Sequence, residues 1–128
     1  MNLLLDTHSF IWFVAGSTRL SASAREIMDV PANRLWLSVA SLWEMAIKVS
    51  LGKLKLGQPL DKFLPEQLRV NSVELLGITL DHTLALAALP FHHRDPFDRL
   101  LIAQALVEGL PVISVDPAFD AYGVNRVW

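Results

Sequence analysis

The chain has 128 residues, 11 Lys+Arg against 13 Asp+Glu, a formal net charge of -2 and no cysteine. Its length suits one domain, residues 1–128. The charge excludes a protein that coats nucleic acid by bulk electrostatics. The absence of Cys excludes disulfides, thiolate metal sites and Cys nucleophiles. Hydrophobic residues make up 52%, enough for a real core, which excludes a disordered chain. The mean hydropathy of +0.38 leaves two explanations: an Ala/Leu-rich helical core, or apolar surface covered by a partner. Met1 to Asp6 lack the basic and apolar regions of a signal peptide. No apolar run approaches the ~18 residues needed to span a bilayer. The expectation is a cytoplasmic protein with no membrane association.

In chain order, Asn2 to Leu5 reads as a buried strand ended by Asp6. Residues 8–15 form a short apolar helix stopped by Gly16. Ser21 to Asp29 is a helix capped by Ser21 or Ser23. Leu35 to Leu37 is a second strand, and Val39 to Leu51 a helix stopped by Gly52. Leu60 to Val70 is helix-like, with Pro65 predicting a break or two short pieces. Val73 to Ile78 is a third strand, and Thr79 to Leu89 a helix ended by Pro90. Pro96 to Gly109 is the clearest helix. Val112 to Val115 is a fourth strand closed by Asp116-Pro117, and Asn125 to Trp128 a last short one. Strands alternating with helices predict an α/β fold with a parallel sheet covered on both faces. In such sheets the functional crevice lies beyond the carboxyl ends of the strands.

Asp6 follows the first strand and Asp116 the fourth; turn or cap duty explains either alone. Asp95-Pro96-Phe97-Asp98 opens the clearest helix. Asp95 reads as an N-cap and Asp98 as a first-turn acid, so capping explains the pair without chemistry. A helix start facing the crevice would equally aim Asp98 into it. Glu44 shares a helical face with Ala40, Ile47 and Leu51. A carboxylate in an apolar stripe needs compensation, either from Lys48 four residues on or from a bound cation. Together Asp6, Glu44, Asp98 and Asp116 come from four segments and map to one end of the sheet. Their mutual repulsion favours a cation among them. Hard oxygen donors point to Mg²⁺ or Mn²⁺ rather than Zn²⁺. The spacing of His8, His82, His92 and His93 matches no usual zinc motif. A cation held by carboxylates is suited to cleaving a phosphodiester.

At these residues the chain resembles a known family. Leu3-Leu4-Leu5-Asp6-Thr7-His8, Ser38-Val39-Ala40-Ser41-Leu42-Trp43-Glu44, Asp95 to Ala105 and Ile113-Ser114-Val115-Asp116 resemble, in order and spacing, the PIN-domain family. The likeness is greatest to VapC-type toxins of bacterial toxin–antitoxin pairs. It implies a three-layer α/β/α sandwich around about five parallel strands. It also implies a Mg²⁺- or Mn²⁺-dependent endoribonuclease leaving a 5′ phosphate and a 3′ hydroxyl. Carried over by motif, Asp6 and Asp98 are the principal metal ligands. Glu44 ligates directly or through water, and Asp116 completes the acidic pocket. Register favours Asp98, with Asp95 as cap or outer ligand. Thr7 and Ser114 hold the carboxylates by hydrogen bonds. The resemblance further implies a cognate antitoxin on an apolar groove, with Phe10, Ile11, Trp12, Trp43 and Ile47 as candidates, and a homodimer. For RNA, Lys48, Lys53, Lys55 and Lys62 form a candidate phosphate-binding edge, and Arg94 and Arg99 are further candidates. A solvated helix end explains the lysines equally well. The rival readings are a catalytically silent RNA- or partner-binding module and a DNA-directed nuclease with the same metal site.

Overall fold

The computed structural model describes all residues 1–128. Five strands form one sheet: β1 (Asn2–Leu5), β2 (Arg34–Ser38), β3 (Val73–Leu76), β4 (Val112–Ile113) and β5 (Arg126–Val127). Their spatial order is β3-β2-β1-β4-β5, and every pairing is parallel. The helices are α1 (Thr7–Ala15), α2 (Ala22–Asp29), α3 (Val39–Ser50), α4 (Leu60–Val70), α5 (Leu80–Ala88) and α6 (Pro96–Glu108), with a 3-10 helix at Pro117–Tyr122. None is long and apolar enough to cross a membrane.

The strands are apolar on both faces because helices cover both. Leu3, Leu5, Leu35, Leu37, Val73 and Ile113 pack with Phe10, Ala24, Met45 and Phe63 from the first four helices. Leu4 and Val112 point the other way, onto Leu101, Ile102 and Ala105 of α6 and Phe119 of the 3-10 helix. This is the expected three-layer arrangement. Chain order runs outward from β1 to β2 and β3, then returns to β4 on β1's other side. That reversal opens a crevice beyond the ends of β1 and β4.

Most boundaries follow local chemistry. Asp6, Ser21, Ser38 and Asp95 each accept a backbone N–H as N-caps. Gly16 and Gly109 close α1 and α6 with φ of 63° and 66°, a conformation that costs a side chain about 1 kcal/mol or more. α3 stops at Ser50, before Gly52, with Leu51 as its cap. The expected break at Pro65 does not occur. α4 runs through it as one helix, with the proline ring exposed and Phe63 buried in the core. Tertiary packing of the apolar face outweighs the single lost backbone bond. β3 ends at Leu76 and β4 at Ile113, both shorter than expected. Beyond β4, the Ser114 side chain accepts the Asp116 N–H at 3.1 Å and turns the chain into the 3-10 helix.

Candidate functional site

The parallel sheet places Asp6, Glu44, Asp98 and Asp116 at one edge, each delivered by a different element. Asp6 leaves β1 and caps α1: its Oδ1 accepts the Ser9 N–H at 2.8 Å. The Ser9 hydroxyl in turn donates to the Ile113 carbonyl at 3.0 Å, tying the start of α1 to β4. Asp116 caps the 3-10 helix, its Oδ1 accepting the Ala118 N–H at 2.9 Å.

Glu44 is held from two sides. The Thr7 hydroxyl donates to its Oε1 at 2.8 Å, and Lys48 Nζ lies 2.8 Å from its Oε2. Ser41 Oγ is 2.9 Å from Thr7 Oγ1; since Thr7 has one hydrogen and directs it at Glu44, Ser41 donates to Thr7. The Glu44 side chain is only 8% exposed, so an unpaired charge there would be costly. In this arrangement Lys48 balances the charge of Glu44.

The two acids of α6 differ in duty. Asp95 Oδ1 accepts the N–H groups of both Phe97 and Asp98, which makes it the helix cap. Asp98 carries no capping bond. Its carboxyl is pushed up from 3.8 to about 7, first by burial, then by the negative charge of Asp95, with Asp6 and Glu44 adding to the rise and His93 opposing it. A carboxyl disfavoured in its charged form by three neighbouring acids is the sign of a site short of positive charge.

His93, which the sequence offered only within an unfavoured zinc set, has a role that sequence reasoning missed. Its Nε2 is 3.1 Å from Asp98 Oδ2 and 3.3 Å from Asp116 Oδ2, so one ring bridges acids from α6 and the end of β4. No spacing rule links positions 93 and 116; only the fold brings them together. Tyr122 was also illegible. Its hydroxyl accepts the backbone N–H groups of His92 at 2.9 Å and His93 at 2.7 Å, pinning the loop before α6.

Other candidates sit elsewhere. Arg99 is buried, and its guanidinium donates to the carbonyls of Leu86, Leu89 and Pro90 while stacking 4.2 Å from the Phe91 ring centroid. It braces the end of α5 against α6 instead of offering charge to RNA. Arg94 is exposed and lines a shallow cleft with Leu86, Phe91 and Arg99 that no acid borders. Lys53, Lys55 and Lys62 are solvated. Ser114 is buried and bonds the Asp116 backbone, not its carboxylate. Phe10 is wholly core rather than groove. Ile11 lines the largest cleft, about 390 Å³ between α1 and α4 with Val14, Lys55 and Phe63, which no acid borders. Trp12 and Ile47 are half-buried. Trp43 is 61% exposed, edge-on to Phe97. The His8, His82, His92 and His93 set is dispersed: His82 is fully buried against Glu108 and the start of α5, and His92 packs on Tyr122.

A parallel α/β/α sandwich with carboxylates gathered at its topological switch point is the architecture of the PIN domain. The PIN domain family model matches residues 3–125, and the chain belongs to that family. It is similar to Ribonuclease VapC22 of Mycobacterium tuberculosis (strain ATCC 25618 / H37Rv), 30% identical over 115 residues, 89% of this chain and 86% of that protein. Among solved structures it resembles a chain of VapBC2 from Rickettsia felis bound to a DNA fragment from their promoter. That match has a TM-score of 0.76 at 16% identity and covers 99% of this chain and 98% of the other. FitAcB from Neisseria gonorrhoeae gives a TM-score of 0.67 at 18% identity, covering 98% and 96%. At such identities these structures establish the fold alone.

Proposed function

We propose that this protein is an endoribonuclease that cuts RNA at the acidic edge with Mg²⁺ or Mn²⁺, and that it is the toxin of a toxin–antitoxin pair. The observation that carries the reading is Asp98, buried among Asp6, Glu44 and Asp95 and pushed up to about 7. The donor set fits a hard divalent cation: it offers carboxylate oxygens, and Lys48 is the only basic side chain bonded to its four acids apart from His93. Asp6 and Asp98 would hold the cation, with Glu44 and Asp116 completing the pocket. A divalent cation supplies Lewis acidity there, offsetting the phosphate charge and activating water for in-line attack.

The chain's own residues orient that chemistry. Thr7 and Lys48 fix Glu44 in one rotamer. The caps at Asp6 and Asp116 are made through Oδ1, and Asp116 Oδ2 meets the His93 ring. The similarity to a protein named a ribonuclease supports RNA as substrate. The fold shared with toxin–antitoxin complexes supports a protein antitoxin as partner. The cleft at Ile11, Val14 and Phe63, which none of the four acids lines, is a receptive surface for it.

The test is cleavage of labelled structured and unstructured RNA, with DNA of the same sequence, by antitoxin-free protein in Mn²⁺, Mg²⁺ or EDTA, with Asp6→Asn alongside. Cleavage of RNA that requires the cation and is lost in the variant is the expected result. Cleavage in EDTA, or full activity of Asp6→Asn, would sink the metal reading. DNA cut as fast as RNA would sink the substrate assignment.

A further inference from the structure

His93 occupies a place that helix capping does not explain. Its side chain is 16% exposed, edge-on to Phe119 at 6.5 Å, and its backbone N–H is anchored on the Tyr122 hydroxyl. Nδ1 lies 3.1 Å from the backbone nitrogen of Asp95 and accepts its hydrogen. In the neutral ring the remaining hydrogen is then on Nε2, an assignment made from this hydrogen bond. That hydrogen faces two carboxylate oxygens, Asp98 Oδ2 at 3.1 Å and Asp116 Oδ2 at 3.3 Å. Both ring nitrogens are therefore engaged. The ring nitrogen and a carboxylate oxygen of each acid lie within 4.8 Å of one another, close enough to share an ion, yet with Nδ1 accepting and Nε2 donating the ring has no lone pair left to offer.

We propose that His93 is a positioning residue for the metal site, whose Nε2–H draws Asp98 and Asp116 together. Two like charges so close would otherwise turn apart. One N–H between their Oδ2 atoms holds them at a fixed spacing and leaves Asp98 Oδ1 to face a cation, while Asp116 Oδ1 stays on the Ala118 N–H. Asp95 contributes through its backbone, since its amide decides which ring nitrogen carries the hydrogen. The outer partner thus sets the inner one, as second-sphere groups do for metal-binding carboxylates. The inference rests on the metal reading above.

The experiment uses Mn²⁺ alone as probe, with no RNA, on the full antitoxin-free chain. Bound ion is read from loss of the free Mn²⁺ paramagnetic resonance signal, and thermal unfolding is followed in EDTA. His93→Asn keeps an oxygen near the Nδ1 position for the Asp95 amide but has no donor reaching the Nε2 position. His93→Gln puts an amide N–H near the Nε2 position. We expect His93→Asn to weaken Mn²⁺ binding about 10–100-fold at an unchanged unfolding midpoint, and His93→Gln to stay within about threefold of wild type. Wild-type affinity in His93→Asn would overturn the role and leave the metal reading standing. Equal losses in both variants would overturn it too, because the donor would not be what matters. If His93→Asn does not fold, His93→Gln decides: folded and about tenfold weaker overturns the inference. Absence of Mn²⁺ binding by wild-type protein would remove the metal reading and this inference with it.

Discussion

Asp98→Asn should make the metal-free protein more stable while abolishing cleavage. The folded state raises this carboxyl from 3.8 to about 7, so between those values the native chain holds a proton that the unfolded chain has released. Stability from this group is therefore present at acid pH, falls as pH rises above about 4, and is fully lost above about 7. At about 1.36 kcal/mol per pH unit the rise corresponds to about 4 kcal/mol. The side chain is 25% exposed, and water reaching it returns about half of that, leaving about 2 kcal/mol. Asparagine carries no charge and still accepts the His93 hydrogen. At pH 8 in EDTA the variant should melt about 5–10 °C above wild type, given the usual entropy of unfolding for this length. At pH 5 the gap should fall to about half, because wild-type Asp98 is then protonated in the folded chain but already ionised in the unfolded one. Adding Mn²⁺ at pH 8 should also close it, since under the proposed reading wild type would bind the ion in its native state and the variant would not. Calorimetry at the two pH values, with and without Mn²⁺, measures all of this. A variant no more stable than wild type at pH 8, or an equal gap at pH 5, would refute the argument that Asp98 is strained by neighbouring charge.

Two further substitutions test the supports around the site. Thr7→Val keeps the shape of a buried side chain but removes the donor to Glu44 Oε1; it should cost about 1–3 kcal/mol in urea unfolding of the metal-free protein. No loss would mean that Lys48 alone satisfies Glu44. Arg99→Lys should destabilise by about 2–3 kcal/mol, since a single ammonium cannot serve the Leu86, Leu89 and Pro90 carbonyls together, and should leave the salt dependence of RNA binding unchanged. A salt slope reduced by about one, with stability intact, would return Arg99 to the phosphate-binding set.

The sequence carried what is local. Apolar runs ended by Asp or Ser, helices closed by Gly16 and Gly109, and the alternation of strand and helix are near-neighbour signals, and each appears in the fold. What it withheld depends on distance along the chain. Thr7 and Glu44 are 37 residues apart and His93 and Asp116 are 23 apart, so no spacing rule pairs them. Pro65 misled for a related reason: the local rule weighs one lost backbone bond, and the packing that outweighs it is nonlocal. Arg99 misled because an arginine beside an acidic motif reads as phosphate-binding until its carbonyl partners, 9 to 13 residues earlier, are visible.

The choice between capping and chemistry at the strand ends proves to be no choice. Asp6, Asp95 and Asp116 all cap, and each does so through Oδ1. A cap fixes the carboxylate's rotamer and aims it by helix geometry, which is also what a pocket needs from a ligand. The helix starts are thus the devices that hold like charges at one edge. Asp98, the acid with no capping bond, has its carboxyl pushed up first by burial and then by the neighbouring acids. Glu44 follows the same logic with a different anchor, since Lys48 and Thr7 do for it what a backbone amide does for the others. A fold that needs these acids for its own helix ends can keep the cluster assembled without a cation. The cluster is then preformed, and under the proposed reading a bound ion would relieve repulsion instead of ordering a loop.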